Sequence, residues 1–243
     1  MKNISKNKHF CVTLFIAAII FSLPSYAKEA KVYYGSSLEQ FEYRFSDKSG
    51  ESFNWGGSAF IGTDEINLNW YGSGEINTKS GDNEELENRL MLSKPLSTFF
   101  DVKAGVRLDT PTKEEDRFYG VIGITGLAPQ WIEVDADIFF SEKGNTSARL
   151  DAEYELLITN YLILRPSVEM DFAFSDDKEI GVGSGLNSIE TSLRLSYDFF
   201  DRTLSPYIGI SRGKKFGETA DLAREEGEDL NNLSFVIGSR FMF

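Results

Sequence analysis

The final segment, Phe235-Val236-Ile237-Gly238-Ser239-Arg240-Phe241-Met242-Phe243, carries bulky apolar groups at every second position and finishes on an aromatic. Side chains alternate between the two faces of a strand, so this segment reads as a strand with one apolar face. The same period of two runs through the second half of the chain. Ile132, Val134, Ala136, Ile138 and Phe140 alternate with Glu133, Asp135 and Asp137. Leu150, Ala152, Tyr154 and Leu156 alternate with Arg149, Asp151, Glu153 and Glu155. Leu162, Leu164, Val168, Met170 and Phe172 oppose Arg165, Ser167, Glu169 and Asp171, and Leu193, Leu195, Tyr197 and Phe199 oppose Glu190, Arg194 and Asp198. A helix would scatter these carboxylates around its circumference, whereas a strand gathers them on one side. The chain is therefore all-β, and its strands have one greasy and one ionised face.

Periodicity alone does not say which face is inside. A soluble lipocalin-like barrel or β-sandwich buries the apolar face; a transmembrane barrel turns it to lipid and keeps a polar lumen. Two ends of the chain favour the membrane. Lys2, Lys6 and Lys8 precede an apolar run from Phe10 to Leu23 and a small-x-small site at Ser25-Tyr26-Ala27, the layout of a secretory signal peptide over residues 1–27. The aromatic-ended last strand resembles the sorting signal of bacterial outer-membrane barrels. Cys11 lies inside the apolar run, not after it, so lipid attachment there is not expected. Cleavage would remove His9 and Cys11, the single histidine and the single cysteine, which excludes disulfides from the mature chain. It would also leave 22 basic against 38 acidic residues, a formal charge of −16. Nucleic-acid binding wants a basic surface, so no nucleic-acid partner is expected.

Strands are expected near residues 38–46, 52–61, 65–73, 85–93, 99–109, 117–126, 131–141, 147–157, 161–174, 188–200, 203–212 and 233–243. That makes an up-and-down antiparallel barrel of about twelve strands over 38–243, after a short periplasmic leader at 28–37. Ten strands is the alternative, because the first two are the least regular. Short turns at 62–64, 94–96, 127–129, 158–160 and 200–202 alternate with connections that include long polar ones at 72–83, 110–116, 175–186 and 213–232. Short periplasmic turns and longer outer loops are the pattern of such barrels. The last long loop has Ala, Leu and Glu at helix-compatible spacing, which predicts a short helix over the mouth. It reads equally as a lid or as an ordinary solvated loop.

Lys or Arg on the lipid face would cost ~2–4 kcal/mol at the midplane. Parity therefore sends Glu42, Arg44, Glu87, Arg89, Lys103, Arg107, Glu133, Asp135, Asp137, Arg149, Asp151, Glu153, Glu155, Arg165, Glu169, Asp171, Glu190, Arg194, Asp198 and Arg240 into the lumen. Twelve strands leave a bore of roughly 10 Å. These charges can form a structural lattice of ion pairs. Glu133, Asp135 and Asp137 beside Asp151 and Glu153 also make a multi-oxygen surface suited to hard or borderline metals. With Met91, whose thioether is the softer donor, they are the lumen-facing metal candidates. Met170 falls by parity on the lipid side.

Several segments resemble the copper resistance protein B family of outer-membrane proteins. They are Gly126-Leu127-Ala128-Pro129 with Trp131-Ile132-Glu133-Val134, Arg149-Leu150-Asp151-Ala152-Glu153-Tyr154-Glu155-Leu156-Leu157, and Gly183-Ser184-Gly185-Leu186 before Ile189-Glu190. Ser205-Pro206-Tyr207-Ile208-Gly209, Lys215-Phe216-Gly217-Glu218-Thr219-Ala220, Gly227-Glu228-Asp229 and the terminal strand follow in the same order. The resemblance, running from about Glu65 to Phe243, implies a barrel in the outer membrane of a Gram-negative cell that helps it tolerate copper by binding or passing the ion. It implies copper as the metal, with outer-membrane lipid, the barrel-assembly machinery and periplasmic copper-resistance proteins as partners. Family members commonly carry a Met- and His-rich segment before the barrel, and only Lys28 to Ser37 stands there in this chain. Copper(I) prefers thiolate and thioether, and copper(II) prefers imidazole; the mature chain offers neither imidazole nor thiolate.

Two function classes stay open on these grounds: a copper-resistance barrel, and a small-solute channel or closed structural barrel without copper chemistry. A barrel enzyme is not expected, since a lipase, deacylase or protease commonly activates Ser or water with His.

Overall fold

The computed structural model describes residues 31–46, 50–112, 115–225, 227 and 229–243. The expected signal peptide at 1–27 lies outside the described residues. Residues Val32–Phe243 form one unit, a single antiparallel sheet closed on itself. Its strands are β1 (Tyr33–Ser46), β2 (Gly50–Gly62), β3 (Asn67–Asn77), β4 (Asn83–Pro95), β5 (Phe100–Asp109) and β6 (Arg117–Ala128). They continue as β7 (Ile132–Ser141), β8 (Thr146–Tyr154), β9 (Leu156–Leu157), β10 (Leu162–Ala173), β11 (Gly185–Tyr197), β12 (Leu204–Lys215) and β13 (Asn231–Met242). Neighbours in sequence pair with one another, and β13 returns to β1 to close the ring. β8 and β9 are two halves of one stave, interrupted at Glu155, and both pair with β10. The barrel thus has twelve staves, not ten. Its first strand starts at Tyr33, so residues 33–37 of the expected leader are strand. They were illegible because Tyr33–Leu38 carries no charge to mark an inner face; beyond a register shift between Leu38 and Gln40, the pairing with β2 runs on to Tyr33 opposite Gly62.

The register puts like faces together. Leu90 sits opposite Val106, Ile122 opposite Ile138, and Phe45 opposite Phe235. Leu90, Val106, Ile122, Ile138, Leu193 and Ile208 are 38 to 50 % exposed, all on the outside. The ionised residues are hidden instead: Glu42, Lys103, Asp137 and Arg165 are buried. This inversion is the signature of a wall with lipid outside and a polar interior.

The interior is not wholly polar. Met91, Tyr119, Val121 and Phe139 form a buried apolar cluster inside the barrel, with Tyr71 packed against it. The register explains it, since Phe139, Val121, Gly105 and Met91 lie opposite one another on β7, β6, β5 and β4. Arg107 lays its guanidinium 4.6 Å from the centre of the Phe139 ring and 5.1 Å from that of Tyr119. Flat, weakly hydrated guanidinium tolerates such stacking at low cost.

Compact turns close one end of the barrel. The Thr63 N–H donates to Ile66 O at 2.8 Å, and the Ile158 N–H donates to Leu162 O at 2.9 Å. At the other end lie the longer connections, including the expected helix, α1 (Gly217–Glu225), which buries Thr219, Ala220 and Ala223. Thr219 Oγ1 accepts from the Gly183 N–H at 2.9 Å, which ties α1 to the loop before β11.

Candidate functional site: the charged lumen

A cavity of about 730 Å³ opens at the end that carries α1, lined by Glu85, Asp109, Arg117, Asp177 and Thr219 among others. Its deeper lining includes Glu87, Arg107, Arg149 and Phe139. Glu87 collects three guanidiniums, Arg107 at 2.8 Å, Arg89 at 2.9 Å and Arg149 at 3.2 Å. One carboxylate among three cations is balanced by each arginine's second acid: Asp109 for Arg107, Asp137 for Arg89 and Asp171 for Arg149.

Further from the mouth, Lys103 Nζ meets Asp135 Oδ1 at 2.6 Å and Asp137 Oδ2 at 3.0 Å. On the opposite part of the ring, Glu42 is fully buried and accepts from Arg44 at 2.8 Å, Arg194 at 3.0 Å and the Tyr207 hydroxyl at 2.9 Å. Arg44 also meets Glu190 at 3.1 Å. Near the short turns, Glu155 meets Arg165 at 2.9 Å, Arg202 at 3.0 Å and Arg240 at 3.5 Å. Arg240 also reaches Glu153 at 3.6 Å.

The five acidic metal candidates share one inner wall. Glu133 stands opposite Glu153 and Asp135 opposite Asp151, on β7 and β8. The row continues, because Asp151 faces Glu169 on β10 and Glu169 faces Glu190 on β11. Like charges directly opposite repel, so a row of four acids is unfavourable without cations nearby. Lys103, Arg149 and Arg44 supply them at Asp135, Glu169 and Glu190. Met91, the sixth candidate, is buried in the apolar cluster and not among these carboxylates. Among the described residues, no group of three or more His, Cys, Asp or Glu is disposed to hold a metal ion. Of the five carboxylates, Asp135, Asp137 and Glu153 are engaged by basic groups, and the one thioether is set apart from them all.

Tyr71, Tyr119, Phe139 and Tyr207, none of them among the residues expected in the lumen, pack against or bond the lumen charges. A signal was present for Phe139: it continues the parity of Asp135 and Asp137 along β7, on the inward side.

A closed antiparallel ring with a greasy exterior and ionised interior defines the class, an outer-membrane β-barrel. Solved porins agree: the KdgM porin superposes with a TM-score of 0.52 at 13% identity, covering 85% of this chain and 99% of its own. The NanC porin gives a TM-score of 0.55 at 13% identity, over 85% and 98%. Likeness at this level concerns the fold alone. The sequence profile described as copper resistance protein B precursor (CopB) matches residues 32–243. Copper resistance protein B of Escherichia coli is 36% identical over 206 residues, 85% of this chain and 68% of that protein. The copper resistance protein B homolog of Pseudomonas syringae pv. tomato (strain ATCC BAA-871 / DC3000) is 36% identical over 194 residues, 80% of this chain and 65% of its own. The chain therefore spans about two thirds of the length of these relatives. It belongs to the copper resistance protein B family, in the outer membrane of Gram-negative cells.

Proposed function

We propose that this barrel contributes to copper tolerance by letting metal cations bind weakly to, and move along, the acidic wall of its lumen. The observation that carries the reading is the placement of Glu133, Asp135, Asp137, Asp151 and Glu153 on one inner wall of a barrel of the copper-resistance family. Closely spaced carboxylates lower the local potential and concentrate cations. Copper is the cargo in this reading, not a resident cofactor, because oxygen donors hold it loosely compared with imidazole or thiolate. Periplasmic copper-resistance proteins are the partners that would deliver or receive the ion, and the barrel-assembly machinery would insert the chain. No catalytic step enters the reading.

A second reading is a closed structural barrel or a small-solute channel, favoured by the ion pairs that link distant strands, such as Arg149 with Glu87. Deleting the gene and growing the cells on rising copper separates the two. Copper sensitivity of the deletion strain that the wild-type gene relieves, with tolerance of other envelope stresses unchanged, supports the first reading. Equal copper tolerance in the deletion strain rejects it.

A further inference from the structure

We propose that the Lys103 ammonium is a tethered cation plugging the Asp135–Asp137 carboxylate pair, and that a free cation crosses the barrel only by displacing it. The proposal rests on the lumen being a cation path, and it names the residue that decides whether that path is open.

Lys103 Nζ meets Asp135 Oδ1 at 2.6 Å, Asp135 Oδ2 at 2.7 Å and Asp137 Oδ2 at 3.0 Å. An ammonium has three donors and no acceptor, so these oxygens surround it as they would a small ion. Its side chain is 1 % exposed. Arg89 reaches Asp137 Oδ2 at 2.7 Å from β4. Two acids and two bases make the group neutral, and removing the lysine charge leaves one net negative charge. Asp137 Oδ1 also lies 3.0 Å from Nζ, buried and with no hydrogen bond of its own.

The wall is shaped for this contact. Lys103, Gly123 and Asp137 lie on one row across β5, β6 and β7, with the glycine in the middle. A Cβ at Gly123 would collide with Asp137 Oδ1 and Ala136 O. Its absence clears the space through which an ammonium from β5 reaches a carboxylate two strands away. The next row towards the mouth is Met91, Gly105, Val121 and Phe139, three buried apolar side chains and a glycine. A solute moving from the mouth along this wall therefore passes an apolar patch before it meets the plugged pair. On the far side stand Asp151, opposite Asp135, and Glu133, two residues along β7.

The test is conductance and K⁺/Cl⁻ permeability ratio of the refolded mature barrel in planar bilayers of neutral lipid. Lys103→Met keeps the stem and removes the charge. It is expected to raise conductance and to shift the permeability ratio towards K⁺ by about five-fold or more, as a bare acidic constriction does. Lys103→Arg should behave as wild type. A folded K103M barrel with wild-type conductance and ratio overturns the proposal. Asp135→Asn with Asp137→Asn frees the lysine without removing it, and should shift the ratio towards Cl⁻; no shift overturns the proposal even where K103M fails to refold. Lys103→Cys offers a charge rescue, since the chain from Lys28 has no other cysteine. Aminoethylation before refolding rebuilds a lysine-like side chain and should return the low-conductance state, while methylation of the thiol should not. Copper tolerance plays no part here. Unaltered tolerance in the deletion strain ends the copper reading and leaves the plug standing; an unresponsive K103M pore does the reverse.

Discussion

Arg149 Nη1 lies 3.2 Å from Glu87 Oε2 although their strands, β8 and β4, are four staves apart in the ring. Arg240 on β13 and Glu153 on β8 make a second contact of the same span, at 3.6 Å. Each joins positions a third of the circumference apart. Such contacts act as struts inside the wall and narrow the passage to what can pass between paired charges.

Glu87→Gln is the sharpest test of the strut. It leaves Arg89, Arg107 and Arg149 close together with one carboxylate fewer, around a buried position. Breaking a buried ion pair by removing one partner costs ~3–5 kcal/mol. The expected result is a loss of that order in urea unfolding from lipid vesicles. An unfolding midpoint unchanged from wild type would contradict this.

The assignment of faces makes a separate prediction at Val106, which pairs with Leu90 and lies on the outside of β5. Val106→Arg should cost ~2–4 kcal/mol in a bilayer, while Val106→Leu should be close to neutral. Unfolding midpoints in vesicles report the difference. Equal midpoints would mean that Val106 does not face hydrocarbon.

Two glycines of β6 should respond oppositely. Gly123→Ala pushes Asp137 away from Lys103 and should destabilise by ~1–3 kcal/mol, the usual range for overpacking. A Cβ at Gly120 meets nothing within 4 Å, so Gly120→Ala should be neutral or slightly stabilising. Thermal unfolding of the two variants side by side provides the measurement.

The loop between β10 and β11 is latched to the mouth by charge. Lys143 Nζ meets Glu179 at 2.6 Å and Arg117 reaches the same carboxylate at 2.9 Å. The hydrogen bond from Lys143 holds the Glu179 carboxyl below its ordinary 4.5, and the same bond raises Lys143 above 10.5. Hydrogen bonds from Ser184 likewise hold Asp176 below 3.8. A depressed acid stabilises above its unfolded value and loses that contribution as pH falls through the folded one. A raised base is the mirror case, stabilising below its unfolded value and losing the contribution as pH rises through the folded one. The latch is therefore fully closed between 4.5 and 10.5. Hydrogen exchange of residues 175–183 should accelerate as pH is lowered below that window, after correction for intrinsic rates, and Glu179→Gln should weaken the dependence to the part that Asp176 carries. Protection that stays constant through the acid range would show that the latch does not hold the loop.

What the chain's own order of residues determined is the wall. Alternation of Ile132, Val134 and Ala136 with Glu133, Asp135 and Asp137 fixes which side chains share a face, because a strand has only two. Even the short helix over the mouth was legible from residues 213–232. What only the tertiary structure decided is which charge meets which. Parity sends Lys103 inward, yet nothing local says that it passes Gly123 to bind Asp137, since that depends on register between β5, β6 and β7. Glu155 likewise finds Arg240 only because β13 closes on β1 and the ring curves. Ion pairs across a lumen are set by closure and shear of the whole sheet, and those are properties of twelve strands together.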